Sequence, residues 1–305
     1  MPNIWTHMLF CEDVIDTIGN SPDPYFKYDS MLKLGAQGPD PFFYYNFWPW
    51  IQNEPVHEIG MQLHSNHCGP FLLDLITSAK AMDKEVRAYV FGFITHHILD
   101  RNTHPYINYR AGYNSNNHQR LEVIIDTIMM EKYHNLKTWK TPVYKEINVG
   151  TRLNASIVEL LHETIQKHYP DIAKSSSSYI QKAYRDMKLA LKLLSDPYGW
   201  KNALLKSLVS AYSHQPVKNQ VDYLNLAHTA WKHPATGEIS TESFIDLYEK
   251  GRAEAIEIMT AVLLYWDSEK DIELDKIKAL IGNISYDTGK PIELALENKY
   301  SEPIV

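Results

Sequence analysis

The sequence predicts an all-α protein, organised as a single multi-helix domain over residues 1–305. Three observations lead there. Apolar residues recur three and four positions apart along most of the chain, the spacing of one helical face, while no stretch of useful length alternates apolar with polar as a strand does. No internal repeat points to a solenoid or propeller. Between Gly92 and Asp126, histidines and carboxylates recur at every fourth position, a period that suits only a helix.

Taken in order, Ile4 to Ile18 places Ile4, Met8, Cys11, Val14, Ile15 and Ile18 at helical spacing, with Asn3 as its cap and Gly19-Asn20 as its stop. His7 lies on or beside that apolar face, and taken alone it reads as a core histidine rather than a ligand. Tyr28 to Gly35 forms a second short helix. Asp40 then sits between Pro39 and Pro41, which restrict the backbone on both sides and forbid a regular helix. The aromatic run from Phe42 to Trp50 fits core, pocket wall or rim equally well. Helical spacing resumes from Ile59 to Ala81, carrying His64 and His67, with Gly69-Pro70 as a break or restart. Lys84 to Thr103 is a core-like helix. Pro105 disfavours α geometry at His104 and puts that histidine at the helix end. Asn108 to Asn117 reads as a polar loop, with Asn117 capping a helix from His118 to His134.

The second half shows helical spacing over Thr151 to His168, Tyr179 to Leu194, Trp200 to Tyr212, Thr241 to Trp266 and Leu274 to Ile281. The segment from Gln220 to Gly237 is punctuated by Pro234 and Gly237, and the residues up to Val305 look loosely ordered.

The chemistry concentrates in the two ladders. His96, Asp100 and His104 form one, and His118, Glu122 and Asp126 the other. A four-residue step advances about 400° on a helix, so each trio lines one face. His96 and Asp100 lie within an apolar run from Tyr89 to Leu99, where an unpaired charge is costly. Imidazole and carboxylate one turn apart suit zinc. Two facing ladders can build a site for more than one ion.

Composition removes several classes. A formal net charge of −7 argues against a broad basic surface for nucleic acid. The two cysteines, Cys11 and Cys68, make no disulfide framework. With no basic leader at the N-terminus, a reducing, cytoplasmic setting is expected. No apolar run of about 20 residues exists to span a membrane. The chain lacks an adjacent His-Asp pair, a phosphate-cradling glycine loop and a nucleophile elbow. Glu54–His57 and Glu131–His134 have the Glu-x-x-His spacing of a di-iron bundle, but no obvious helix follows the first.

The order GAQGPDPFFYY, LHSNHCGPFLLDL, HHILDRNTHPY and HQRLEVIID resembles the bacterial zinc-dependent phospholipase C family, in its intracellular, unprocessed branch. By motif the resemblance covers about residues 1–130. It implies an all-α fold of the phospholipase C/nuclease type, shared with zinc-dependent single-strand nucleases, around a buried metal cluster. Carried over residue by residue, it implies one zinc on Asp40, His64, His96 and Asp100, and a second on His104, His118 and Glu122. A third would lie on His7, with Asp100 as the bridge. Two departures leave the cofactor at two or three zinc ions: Trp5 is internal where secreted members use a processed N-terminal tryptophan, and His104 follows Asp100 by four residues rather than six. Asp126 either completes a site or holds a ligand in place. The implied reaction is phosphodiester hydrolysis by a metal-bound water, with Asp40 orienting or deprotonating it. The implied partner is a lipid or small-molecule phosphodiester. A nuclease, a soluble phosphodiesterase and a non-catalytic metal-binding helical protein remain the alternatives.

Overall fold

The computed structural model describes residues 4–19, 26–48, 50–51, 54–205, 209–268 and 273–305. The predicted caps Asn3 and Asn20 lie outside the described residues. The fold is all-α. Helix α1 spans Ile4–Ile18, α2 Asp29–Gly35, α3 Pro55–Ser65, α4 Cys68–Ala79, α5 Lys84–Ala111 and α6 Ser115–His134. Then come α7 (Ala155–His168), α8 (Ser178–Leu194), α9 (Trp200–Leu204), α10 (Phe244–Asp267) and α11 (Leu274–Ile281). One antiparallel pair, Trp231–Lys232 with Ile239–Ser240, is the sheet among the described residues.

Helix α5 is the axis of the molecule. It packs on α1, α2, α4, α6, α7 and α10, and from Ala88 to Ala111 only Asn102 is not buried. Asp83 starts it by accepting the Val86 N–H at 2.9 Å. Its crossing with α2 is very close: a Cβ on Gly92 would lie 2.3 Å from the Leu32 carbonyl oxygen. Only glycine admits that backbone-to-backbone approach, which seats the chain after α2 directly over the middle of α5.

Several boundaries differ from the sequence expectation. Helix α5 does not end at Thr103 but runs through Pro105 to Ala111, so His104 is interior to it. Proline removes the donor to the Arg101 carbonyl, and Gly289 packs directly against that carbonyl. Beyond Pro105, residues 299–305 hold the end of the helix. Glu302 N–H donates to the Tyr109 carbonyl at 2.7 Å and Ile304 N–H to Arg110 at 2.9 Å, satisfying two acceptors that a helix terminus leaves open. Ile304 and Val305 pack against the core, so this segment is not loose.

The polar loop before α6 is therefore short, and Asn114 rather than Asn117 caps α6. The expected helix over Ile59–Ala81 is two helices. They break at Asn66-His67, where His67 adopts φ 50°, and Pro70 falls in the first turn of the second. A helix does follow Glu54, which caps α3 with Pro55 in its first turn. The helical turn after Trp200 stops at Leu204, and residues 206–208 lie outside the described residues.

Two long-range bonds tie α10 into the bundle: Tyr248 Oη–H donates to Asp13 at 2.6 Å and Trp266 Nε1–H to the Ile76 carbonyl at 2.9 Å. Among the described residues no helix is long and apolar enough to cross a membrane.

Candidate metal centre

One face of α5 presents His96, Asp100 and His104, exposed by no more than 3 %. Five further side chains converge on that face: His7 from α1, Asp40 from the 3₁₀ turn Asp40–Tyr44, His64 from α3, and His118 with Glu122 from α6. Asp100 lies at the middle. Its Oδ1 is 3.3 Å from His7 Nε2 and 3.4 Å from His104 Nε2, and its Oδ2 is 3.1 Å from His96 Nε2 and 3.9 Å from His64 Nε2. Asp40 Oδ1 is 3.5 Å from His64 Nε2 and 3.7 Å from His96 Nε2. His118 Nε2 is 2.7 Å from Glu122 Oε1.

The donors fall into three groups, each with its ligand atoms within 4.8 Å of one another: His7, His96 and Asp100; Asp40, His64 and His96; His104, His118 and Glu122. His96 Nε2 is common to the first two, and Asp100 offers one oxygen to each side. All eight residues expected at the site are thus brought together.

Backbone contacts aim the rings. His96 Nδ1 bonds the Ala36 carbonyl at 2.9 Å and His64 Nδ1 the Gly60 carbonyl at 2.7 Å, leaving Nε2 of each directed inward. The His7 ring stacks on His96 with centroids 4.0 Å apart. Gly38 makes room for the His96 ring: at φ 50°, a Cβ there would meet that ring at 2.4 Å.

The donor chemistry fits bound cations. Eight side-chain atoms on five of these residues are buried and make no well-formed hydrogen bond: both ring nitrogens of His7 and His104, His96 Nε2, Asp40 Oδ1 and both oxygens of Asp100. Leaving a buried polar group unsatisfied costs about 1–3 kcal/mol, so several together would rival the stability of a whole domain. Burial holds the pKa of His7 below its ordinary value, and those of His104 and His118 well below, which keeps these rings in the neutral, ligating form. For His96, burial works the same way, but the Asp100 and Asp40 carboxylates outweigh it and raise the pKa. Burial likewise opposes the Asp100 charge, yet His104, His96 and His7 hold its pKa well below the usual carboxylate range.

Sequence reasoning missed what surrounds this set. Tyr286, 1 % exposed, places its ring centroid 4.4 Å from His97, 4.9 Å from His64 and 5.9 Å from His96. It arrives on the segment 283–291, where Tyr286 N–H donates to the His64 carbonyl at 3.0 Å and His97 Nε2–H to the Ile284 carbonyl at 2.9 Å. No periodicity marks that segment; the only sequence cue is the turn chemistry of Asp287-Thr288-Gly289. Asp126 ends the second ladder but joins none of the three groups. It accepts hydrogen bonds from Trp5 and Thr6.

Neither Glu54–His57 nor Glu131–His134 faces the centre. Glu54 bonds Asn46 and His57 the Tyr45 carbonyl, while Glu131 and His134 are exposed. The aromatic run divides by role. Phe42 is core, Phe43 leans on His64 at 5.4 Å, and Phe47, Trp48 and Trp50 stack outward to a fully exposed end, with Trp50 72 % accessible.

His67 faces away, exposed at the break between α3 and α4 beside His168 and Tyr169. His64→Ala is therefore expected to lower the zinc bound per chain, and His67→Ala to leave it unchanged. Elemental analysis of both variants decides it, and loss in the His67 variant alone would reverse the assignment.

The family model for zinc-dependent phospholipase C matches residues 6–179, a span holding all eight of these side chains. No curated protein and no solved structure gives a significant match to the chain.

Proposed function

The chain belongs to the zinc-dependent phospholipase C family, and from that premise we propose that it is a zinc-dependent phosphodiester hydrolase acting on phospholipid-like substrates. The observation that carries the reading is the convergence of His7, Asp40, His64, His96, Asp100, His104, His118 and Glu122 into three contiguous ligand groups. Asp40, His64, His96 and Asp100 would hold one ion, His104, His118 and Glu122 a second, and His7 with the other Asp100 oxygen a third. Zinc bound there supplies Lewis acidity, making water more acidic and taking up charge on phosphoryl oxygens.

The chain's own groups do the rest. Asp40 is the candidate catalytic base: its Oδ1 is buried and accepts no hydrogen bond, so it can take a proton from a water beside the phosphorus. Asp100 keeps a negative charge among three imidazoles and fixes their spacing. Phe43, against His64, borders the centre and offers an apolar wall to the organic part of a substrate. The set suits a substrate with anionic non-bridging oxygens and a developing alkoxide. A neutral carboxylic ester would use less of that charge.

The test is a neutral-pH panel of an aryl phosphodiester, a choline phospholipid, a single-stranded oligonucleotide and an aryl acetate, each with zinc and with chelator. Turnover of either of the first two, falling to background with chelator and with little acetate hydrolysis, is expected. Cleavage of the oligonucleotide alone would move the function to a nuclease. Cleavage of none would leave a non-catalytic metal-binding protein.

A further inference from the structure

Asp126 is fully buried on α6, one turn beyond Glu122. Its Oδ2 accepts the Trp5 N–H at 3.0 Å and lies 3.2 Å from His214 Nε2. Its Oδ1 accepts the Thr6 N–H at 2.9 Å and the Thr6 hydroxyl at 2.6 Å. Trp5 and Thr6 stand in the first turn of α1, where backbone N–H groups have no acceptor within the helix. A carboxylate there is doubly favoured, by the open donors and by the positive end of the helix dipole. One carboxylate thus fixes both the height and the rotation of that first turn.

The next residue is His7. Its Nδ1 is buried without a hydrogen-bond partner, and its Nε2 faces only the Asp100 carboxylate at 3.3 Å. Its position follows from the backbone of α1 and from its stack on His96. His96 and His64 are aimed by backbone carbonyls through their own Nδ1 atoms, whereas His7 has no such contact.

We propose that Asp126 is the positioning residue for His7, clamping the first turn of α1 to α6 so that His7 Nε2 is held beside Asp100. The inference rests on the ligand roles given above. It makes the cation position of His7 and Asp100 depend on Asp126, and leaves that of His104, His118 and Glu122 independent of it. The amide of an asparagine would turn a donor toward either Trp5 N–H or Thr6 N–H, so Asp126→Asn breaks the clamp with little change of volume. Thr6→Val removes the hydroxyl contact alone and is the milder companion.

In full-length protein, Asp126→Asn is expected to weaken one zinc ion by about 10–100-fold, the usual effect of losing a ligand's support, with the remaining ions held as in the parent. Thr6→Val should weaken the same ion by less. His7→Ala should remove that ion, and adding Asp126→Asn to it should change nothing further. In the metal-free protein, the His7 ring resonance should shift in both clamp variants while those of His104 and His118 stay in place. Parent-like affinity in Asp126→Asn, or equal weakening of every ion, would overturn the proposal. If His7→Ala keeps every ion, it is the ligand assignment that fails. The ring resonances then decide the clamp on their own: a shift confined to His7 supports it and an unmoved ring refutes it.

Discussion

Asp100→Asn is expected to cost the protein most of its metal. The parent should carry at least two zinc ions per chain, and the variant should lose affinity beyond the ~10–100-fold that removal of a merely supporting group produces. The reason is its place: Oδ1 lies 3.3 Å from His7 Nε2 and 3.4 Å from His104 Nε2, Oδ2 lies 3.1 Å from His96 Nε2 and 3.9 Å from His64 Nε2, and the side chain has no exposure to water. An amide offers one acceptor where the carboxylate offers two, carries no charge, and turns a donor toward one side of the cluster. Two ion positions suffer together. The metal-free variant should fold, because a buried carboxylate without a cation is itself a burden on the structure. Zinc should therefore raise the melting temperature of the parent by much more than that of the variant. Equal metal content in Asp100→Asn and Asp126→Asn, or greater loss in the latter, would contradict the central role of Asp100.

The second large effect concerns a residue that touches no ligand. Gly92→Ala is expected to destabilise the fold by about 3 kcal/mol, the upper part of the range for overpacked interiors, read as a lowered denaturation midpoint at unchanged slope. An added Cβ would stand 2.3 Å from the Leu32 carbonyl and 2.5 Å from the Ala36 nitrogen. Both are backbone atoms, so rotamer changes cannot relieve the clash and α2 must move off α5. The shift would also withdraw the Ala36 carbonyl from His96 Nδ1 and carry Asp40 away with it. Weaker zinc binding should accompany the loss of stability. An alanine variant as stable as the parent would show that the two helices approach less closely than described.

The parts of the centre legible in the sequence are those that a single helix writes locally. His96, Asp100 and His104 repeat at the helical period, as do His118 and Glu122, and their apolar neighbours announce burial. His7, Asp40 and His64 carry no such mark. Each is one polar residue on its own element, and only their order alongside the ladders, in its resemblance to a family, singled them out. Their convergence is a property of packing across long sequence separations, which periodicity does not encode.

The misreadings have a common origin too. The local preference of Pro105 to end a helix is real, but burial of α5 from Ala88 to Ala111 and the backbone bonds from Glu302 and Ile304 override it. Those bonds use main-chain atoms, so no side-chain pattern foretells them. The helix after Glu54 did have a signal, a capping carboxylate followed by proline at the first position, hidden by the aromatic run before it.

The segment 283–291 gives the centre a place in time as well as in space. As the chain leaves the ribosome, every zinc-liganding candidate through Glu122 emerges long before Tyr286 does. Until that segment arrives, the backs of His64 and His97 and the Arg101 carbonyl lack the cover that Tyr286, Ile284 and Gly289 provide. The cover over the back of the centre is thus the last of its surroundings to be made.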